Sequence, residues 1–192
     1  MQLIQRNEIL PIGEYEAIRP RFRARVIEEK KLRRVKIGEH LSAVFENRDT
    51  VLLQIQEMLR TERITSESAI LHEIETYNDL VPGDGELSLT MFVEIGDKPL
   101  RDRLLVELAG LEDSVSIEID GERFPVTGPK PDGFMEGRTT AVHYLKAKLS
   151  AEATAKLRAR QGKVALVIAH PRYEARAELG ATTLASLRED LG

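Results

Sequence analysis

Ile18, Phe22 and Val26 recur at four-residue spacing and mark one apolar stripe of a helix reaching to about Leu32. Pro20 suits the first turn of that helix, where its fixed φ fits and its missing N–H is not needed. Val35 and Ile37 read as a short strand, Gly38 as its turn, and Leu41 to Phe45 as the return strand. Asn47 is placed to cap the next helix, on which Val51, Leu52, Ile55, Met58 and Leu59 share a face. Leu53 points the other way, which predicts a helix covered on two sides. Thr65 or Ser66 opens a further helix with Ile70, Leu71, Ile74 and Tyr77 on one face, and Asn78 beside Tyr77 needs bonding partners there.

After the turn Pro82-Gly83-Asp84-Gly85 the period changes to two. Leu87, Leu89, Met91, Val93 and Ile95 alternate with Glu86, Ser88, Thr90, Phe92 and Glu94, which predicts a half-buried strand. A helix follows over 99–111, then strands over 115–119 and 123–126 joined by the hairpin turn Asp120-Gly121. Residues 128–137 read as a loop, 140–149 as a strand, and Ser150 as the cap of a helix. The doubly apolar run 163–169 fits a central strand, with a further strand over 173–179 and a last helix over 182–191. The expected fold class is α+β: a helical N-terminal part packed on a mainly antiparallel sheet with flanking helices. One domain over 1–192 is expected, with residues 1–82 mainly helical and 83–192 rich in sheet.

Charge changes this picture at one place. Residues 19–36 hold nine basic side chains against Glu28 and Glu29, a local +7 in a chain whose net charge is −4, so the remainder carries −11. Arg19, Arg21, Arg23, Arg25, Arg33, Arg34 and Lys36 are therefore candidates for engaging an acidic protein partner or a small anion. The plainer reading is a solvated helix whose arginines pair with the acidic remainder of the fold. Nucleic acid is disfavoured by the sequence pI near 5.7 and by the supply of aromatics, five Phe, four Tyr and no Trp. Non-specific nucleic-acid binding stands as a third reading, marked by steep salt dependence. Cysteine is absent, which removes disulfides, thiol nucleophiles and every cysteine-ligated cofactor. With no long apolar run and no export signal, the expectation is a cytoplasmic protein without a membrane span.

Two constellations carry candidate chemistry. Glu46, Asn47 and Arg48 end a strand and open a helix that also bears Gln54 and Glu57, a junction suited to a binding pocket. The plainer account makes Asn47 a cap and pairs Glu46 with an arginine. His143 and His170 lie on or at the end of strands, and with Glu46, Glu57 or Glu94 they would form a His/carboxylate site for iron, manganese or zinc in a redox enzyme. No His-Glu-x-x-His spacing supports that site. His72, Glu75 and Asp79 share a helix face that lies opposite the apolar one, and so in water.

Several runs carry a family resemblance. They are Tyr15 to Arg23, Phe45 to Thr50, Gln54 to Met58, Tyr77 to Leu87, Val142 to Leu145 and His170 to Tyr173. Over nearly its full length the chain resembles the bacterial domain-of-unknown-function family numbered 3501. The resemblance brings no assigned activity and no catalytic residues. Members of that family are often encoded near rubrerythrin-like and iron–sulfur redox proteins, which implies an accessory role in redox or oxidative-stress physiology.

Overall fold

A computed structural model describes residues 1–129 and 135–191. Residues 130–134 of the loop expected over 128–137 lie outside the described residues. Among the described residues, six α-helices and eight strands follow the order α1 (Ile12–Leu32), β1 (Arg34–Ile37), β2 (Leu41–Glu46), α2 (Arg48–Thr61), α3 (Glu67–Asn78), β3 (Glu86–Val93), α4 (Lys98–Glu107), β4 (Val115–Ile119), β5 (Glu122–Thr127), β6 (Val142–Lys148), α5 (Ala151–Arg158), β7 (Val164–His170), β8 (Tyr173–Glu178) and α6 (Ala181–Leu191). The fold class is α+β, as the periodicities predict. Among the described residues no helix is long and apolar enough to cross a membrane.

The strands form one antiparallel sheet in the order β1-β2-β3-β6-β5-β4-β7-β8, nearly closed into a barrel. Asp120 and Gly121 both take positive φ, 49° and 88°, as a tight hairpin between β4 and β5 requires. At the seam between β8 and β1, the Tyr173 hydroxyl donates to the Ile37 carbonyl at 2.7 Å and accepts from the His40 N–H at 3.2 Å. One tyrosine thus ties two edges that share no backbone ladder.

Alternation decides which residues fill the barrel. Ile37, Ala43, Phe45, Leu89, Met91, Ile117, Leu145 and Leu166 point inward with their neighbours and form the main core. The outer face of β2 and β3 carries Ser42, Glu46, Ser88 and Thr90 instead, all buried. This strand is not half-buried as expected, because the helical layer closes over its second face. α2 and α3 make their own apolar core with the N-terminal segment through Ile4, Ile9, Val51, Ile55, Leu59, Ile70, Ile74 and Tyr77. Leu53, on the other side of α2, is buried too, as its opposite position predicts. Asn78 finds its partners in that segment, accepting from Ile4 N–H at 2.9 Å and donating to Ile4 O at 3.0 Å.

α1 departs from the expected pattern. It starts at Ile12 after Pro11, and Pro20 lies inside it. Ile18 and Leu32, expected in the buried stripe, are 46% and 48% exposed, while Tyr15 and Val26 are fully buried. The reason is that α1 docks on α2 mainly through polar contacts, which apolar periodicity cannot register. Leu71, likewise placed on a buried face by its spacing, is exposed.

Candidate functional site

The polar docking of α1 on α2 centres on Glu57. Its carboxylate takes a two-point bond from Arg19, 2.7 and 2.8 Å, and a 2.6 Å bond from the Tyr15 hydroxyl. Arg19 chiefly, with Tyr15 adding to it, holds the Glu57 carboxyl below the usual carboxylate range. Burial first, then Glu57, pushes the Tyr15 phenol well above its ordinary value. Arg60 donates to Glu16 at 2.6 Å on the same seam.

Next to this seam α1 and α2 leave a cleft of about 370 Å³ lined by Arg23, Ile27, Lys30, Leu53, Gln54, Glu57, Met58, Thr61 and Glu62. Two of its lining residues connect it to the buried outer face of the sheet. Lys30 Nζ lies 3.7 Å from Glu46 Oε2, and Gln54 Nε2 lies 3.4 Å from the Tyr144 hydroxyl. Glu46 Oε1 accepts from Thr90 at 2.7 Å. Glu46 Oε2 and Ser88 Oγ are buried with no hydrogen-bond partner among the described residues. They stand on directly paired positions of β2 and β3. Buried polar groups are normally satisfied, so this cross-strand pair departs from ordinary packing, with Lys30 supplying a counter-charge to Glu46. Burial also raises the Tyr144 phenol, with the nearby Glu46 charge adding to the shift.

The basic window is largely answered within the fold. Arg19 pairs with Glu57, Arg25 with Asp49, Lys30 with Glu46, Lys31 with Glu28, Arg33 with Asp190 and Arg34 with Glu94. Arg33 is 1% exposed, and its Nε and Nη1 lack hydrogen bonds, so it is a buried clamp and not a surface contact. Asp190, which receives it, is raised by burial against the pull of that guanidinium. Arg21, Arg23 and Lys36 are exposed and have no ion pair among the described residues.

The predicted junction residues separate. Asn47 caps α2, its side chain accepting from Thr50 N–H at 3.0 Å while its amide donates to Glu29. Arg48 turns away to Glu8 and the Gln2 carbonyl. Only Gln54 and Glu57 of that set line the cleft, with Glu46 beneath it. The predicted metal ligands are not brought together. His143 shares the inward face of the sheet with Met91, whereas Glu46 lies on the outward face with Ser88 and Thr90. Glu57 is engaged with α1 and Glu94 with Arg34. His170 Nδ1 accepts from Arg172 N–H at 3.1 Å, so its Nε2 carries the proton and donates to Ala109 O at 3.1 Å. Among the described residues no three His, Asp or Glu side chains are grouped to hold a metal ion. His72, Glu75 and Asp79 are exposed, as expected.

Lys30 belongs to the basic window, whereas nothing in the sequence marks Ser88, Thr90 and Tyr144 as site residues. Ser88 and Thr90 alternate with apolar neighbours and so read as solvent-facing. Only the docking of α1 and α2 reveals them as buried.

The fold and the site together define a nearly closed antiparallel barrel with a helical cover seated on a polar patch of its outer wall. The chain belongs to the family described as "Protein of unknown function (DUF3501)", whose model matches residues 3–191. It is similar to a novel protein of unknown function from Burkholderia pseudomallei K96243, known from a crystal structure. The two share 34% sequence identity with a TM-score of 0.89 over 100% of both chains. No curated protein matches it in sequence.

Proposed function

We propose that this is a cytoplasmic binding or accessory protein that engages an acidic group of a partner protein at the α1–α2 cleft. The carrying observation is that Arg23 lines this cleft, is exposed and has no ion pair among the described residues. Glu57 in the cleft wall is already paired with Arg19, so it does not cancel Arg23, and Glu62 is the one other carboxylate among the lining residues. Lys30 adds a second cation at the floor. Ile27, Leu53 and Met58 give the cleft an apolar side that suits a peptide better than a bare anion.

A hexaglutamate peptide titrated by fluorescence anisotropy tests the reading. Binding should weaken at least tenfold in the Arg23→Gln variant and less in Arg25→Gln, whose charge is already held by Asp49. It should also weaken with salt, since exposed charges are screened over roughly 10 Å at 0.1 M. Equal affinity for all three proteins would contradict it.

A further inference from the structure

Apart from the α1–α2 cleft lies a cavity of about 300 Å³ whose walls include Glu112, Asp113, Val126, Arg138, His143 and Leu145. His143 is 3% exposed. Its Nε2 stands 2.9 Å from the Thr140 carbonyl oxygen, which can only accept, so Nε2 carries the proton. Thr139 Oγ1, 3.0 Å from the same nitrogen, donates to Glu112 Oε2 at 3.2 Å. Nδ1 is therefore a bare lone pair, and it has no hydrogen bond among the described residues. Burial lowers the ring's pKa and so disfavours its charged form, against the smaller opposing pull of Glu112.

Nδ1 faces Glu112 Oε2 across 3.9 Å. Two acceptors at that separation repel each other, and neither reaches a donor in the other. A single donor centre between them, about 2.8 Å from each, would satisfy both. The rest of the wall decides its charge. Asp113 has no ion pair among the described residues, while Arg138 is shared with Asp102 at 3.4 Å. The cavity therefore favours a cation, and Val126 and Leu145 offer apolar surface for a short carbon chain. We propose that this cavity binds a small primary ammonium compound, its nitrogen donating to His143 Nδ1 and Glu112 Oε2. A divalent metal is the poorer occupant, since only one imidazole and one carboxylate converge at the gap.

Ethylammonium chloride is the probe, with long-range ¹H–¹⁵N NMR of the imidazole nitrogens and calorimetry as readouts. The wild-type protein should bind one equivalent, with the His143 Nδ1 resonance moving as saturation is approached. Glu112→Gln keeps an acceptor for Thr139 and removes the charge, so it should weaken binding at least tenfold. Asp113→Asn should weaken it less. The proposal is overturned if ethylammonium at about 10 mM, a level at which even millimolar affinity registers, leaves the Nδ1 resonance unmoved. It is equally overturned if Glu112→Gln binds as tightly, if acetate moves the same resonance as far, or if zinc binds there more tightly than the amine. The wild-type titration decides by itself should a variant fail to fold.

Discussion

Lys30 Nζ stands 3.7 Å from Glu46 Oε2, a buried carboxylate oxygen that receives no hydrogen bond among the described residues. The ammonium is the nearest counter-charge to a group whose other oxygen is held by Thr90. It is also part of the open cleft wall, so it is available both to Glu46 and to an incoming acid. Removing it leaves a buried charge uncompensated. Lys30→Met should lower stability by about 1–2 kcal/mol in urea unfolding, a discounted figure because Lys30 is partly exposed. Adding Glu46→Gln should restore at least half of that loss. Strictly additive effects would mean that the two charges do not interact.

Glu57 sets the acid limb of stability at the α1–α2 seam. Its folded pKa lies below the unfolded value, chiefly through Arg19. A depressed carboxylate contributes stability that is present above the unfolded value, near 4.3, and is lost as pH falls through the folded one. Glu57→Gln should therefore be less stable than the native protein by about 1 kcal/mol at pH 7. The gap should close as pH falls below about 4.3. A gap that stays constant down to pH 3 would show that the seam does not depend on this charge.

Tyr173 closes the barrel, and Gly38 makes room for it. Gly38 takes φ of 68°, and a Cβ there would meet the Tyr173 hydroxyl at 2.4 Å. Tyr173→Phe leaves Ile37 O and His40 N–H without that partner, at a cost of about 1–3 kcal/mol. Amide exchange at His40 should accelerate before exchange in β3 or β6. Gly38→Ala should produce the same local opening, by strain and by displacement of the ring.

Local chemistry was legible in the chain, and non-local pairing was not. Asp120-Gly121 and Asn47 act as their types predict, because a tight turn and an N-cap are decided within four residues. The period-two strands were readable for the same reason. The start of α1 is hidden in the sequence because Tyr15, Arg19 and Glu16 bind α2 through hydroxyl, guanidinium and carboxylate, leaving no apolar stripe before Pro20. Ser88 and Thr90 looked solvent-facing because alternation reports one buried face and says nothing of what covers the other. His143 was noticed, but its partner Glu112 comes from the turn before β4. Only the insertion of β6 between β3 and β5 brings them together.

Engagement of an acidic partner at the α1–α2 cleft, as proposed, is tested most sharply by amide chemical-shift mapping during a hexaglutamate titration. The largest changes should fall on residues 21–30 of α1 and 53–62 of α2, with Glu46 and Thr90 responding as Lys30 is drawn away. Changes concentrated elsewhere, or none at saturating peptide, would contradict it.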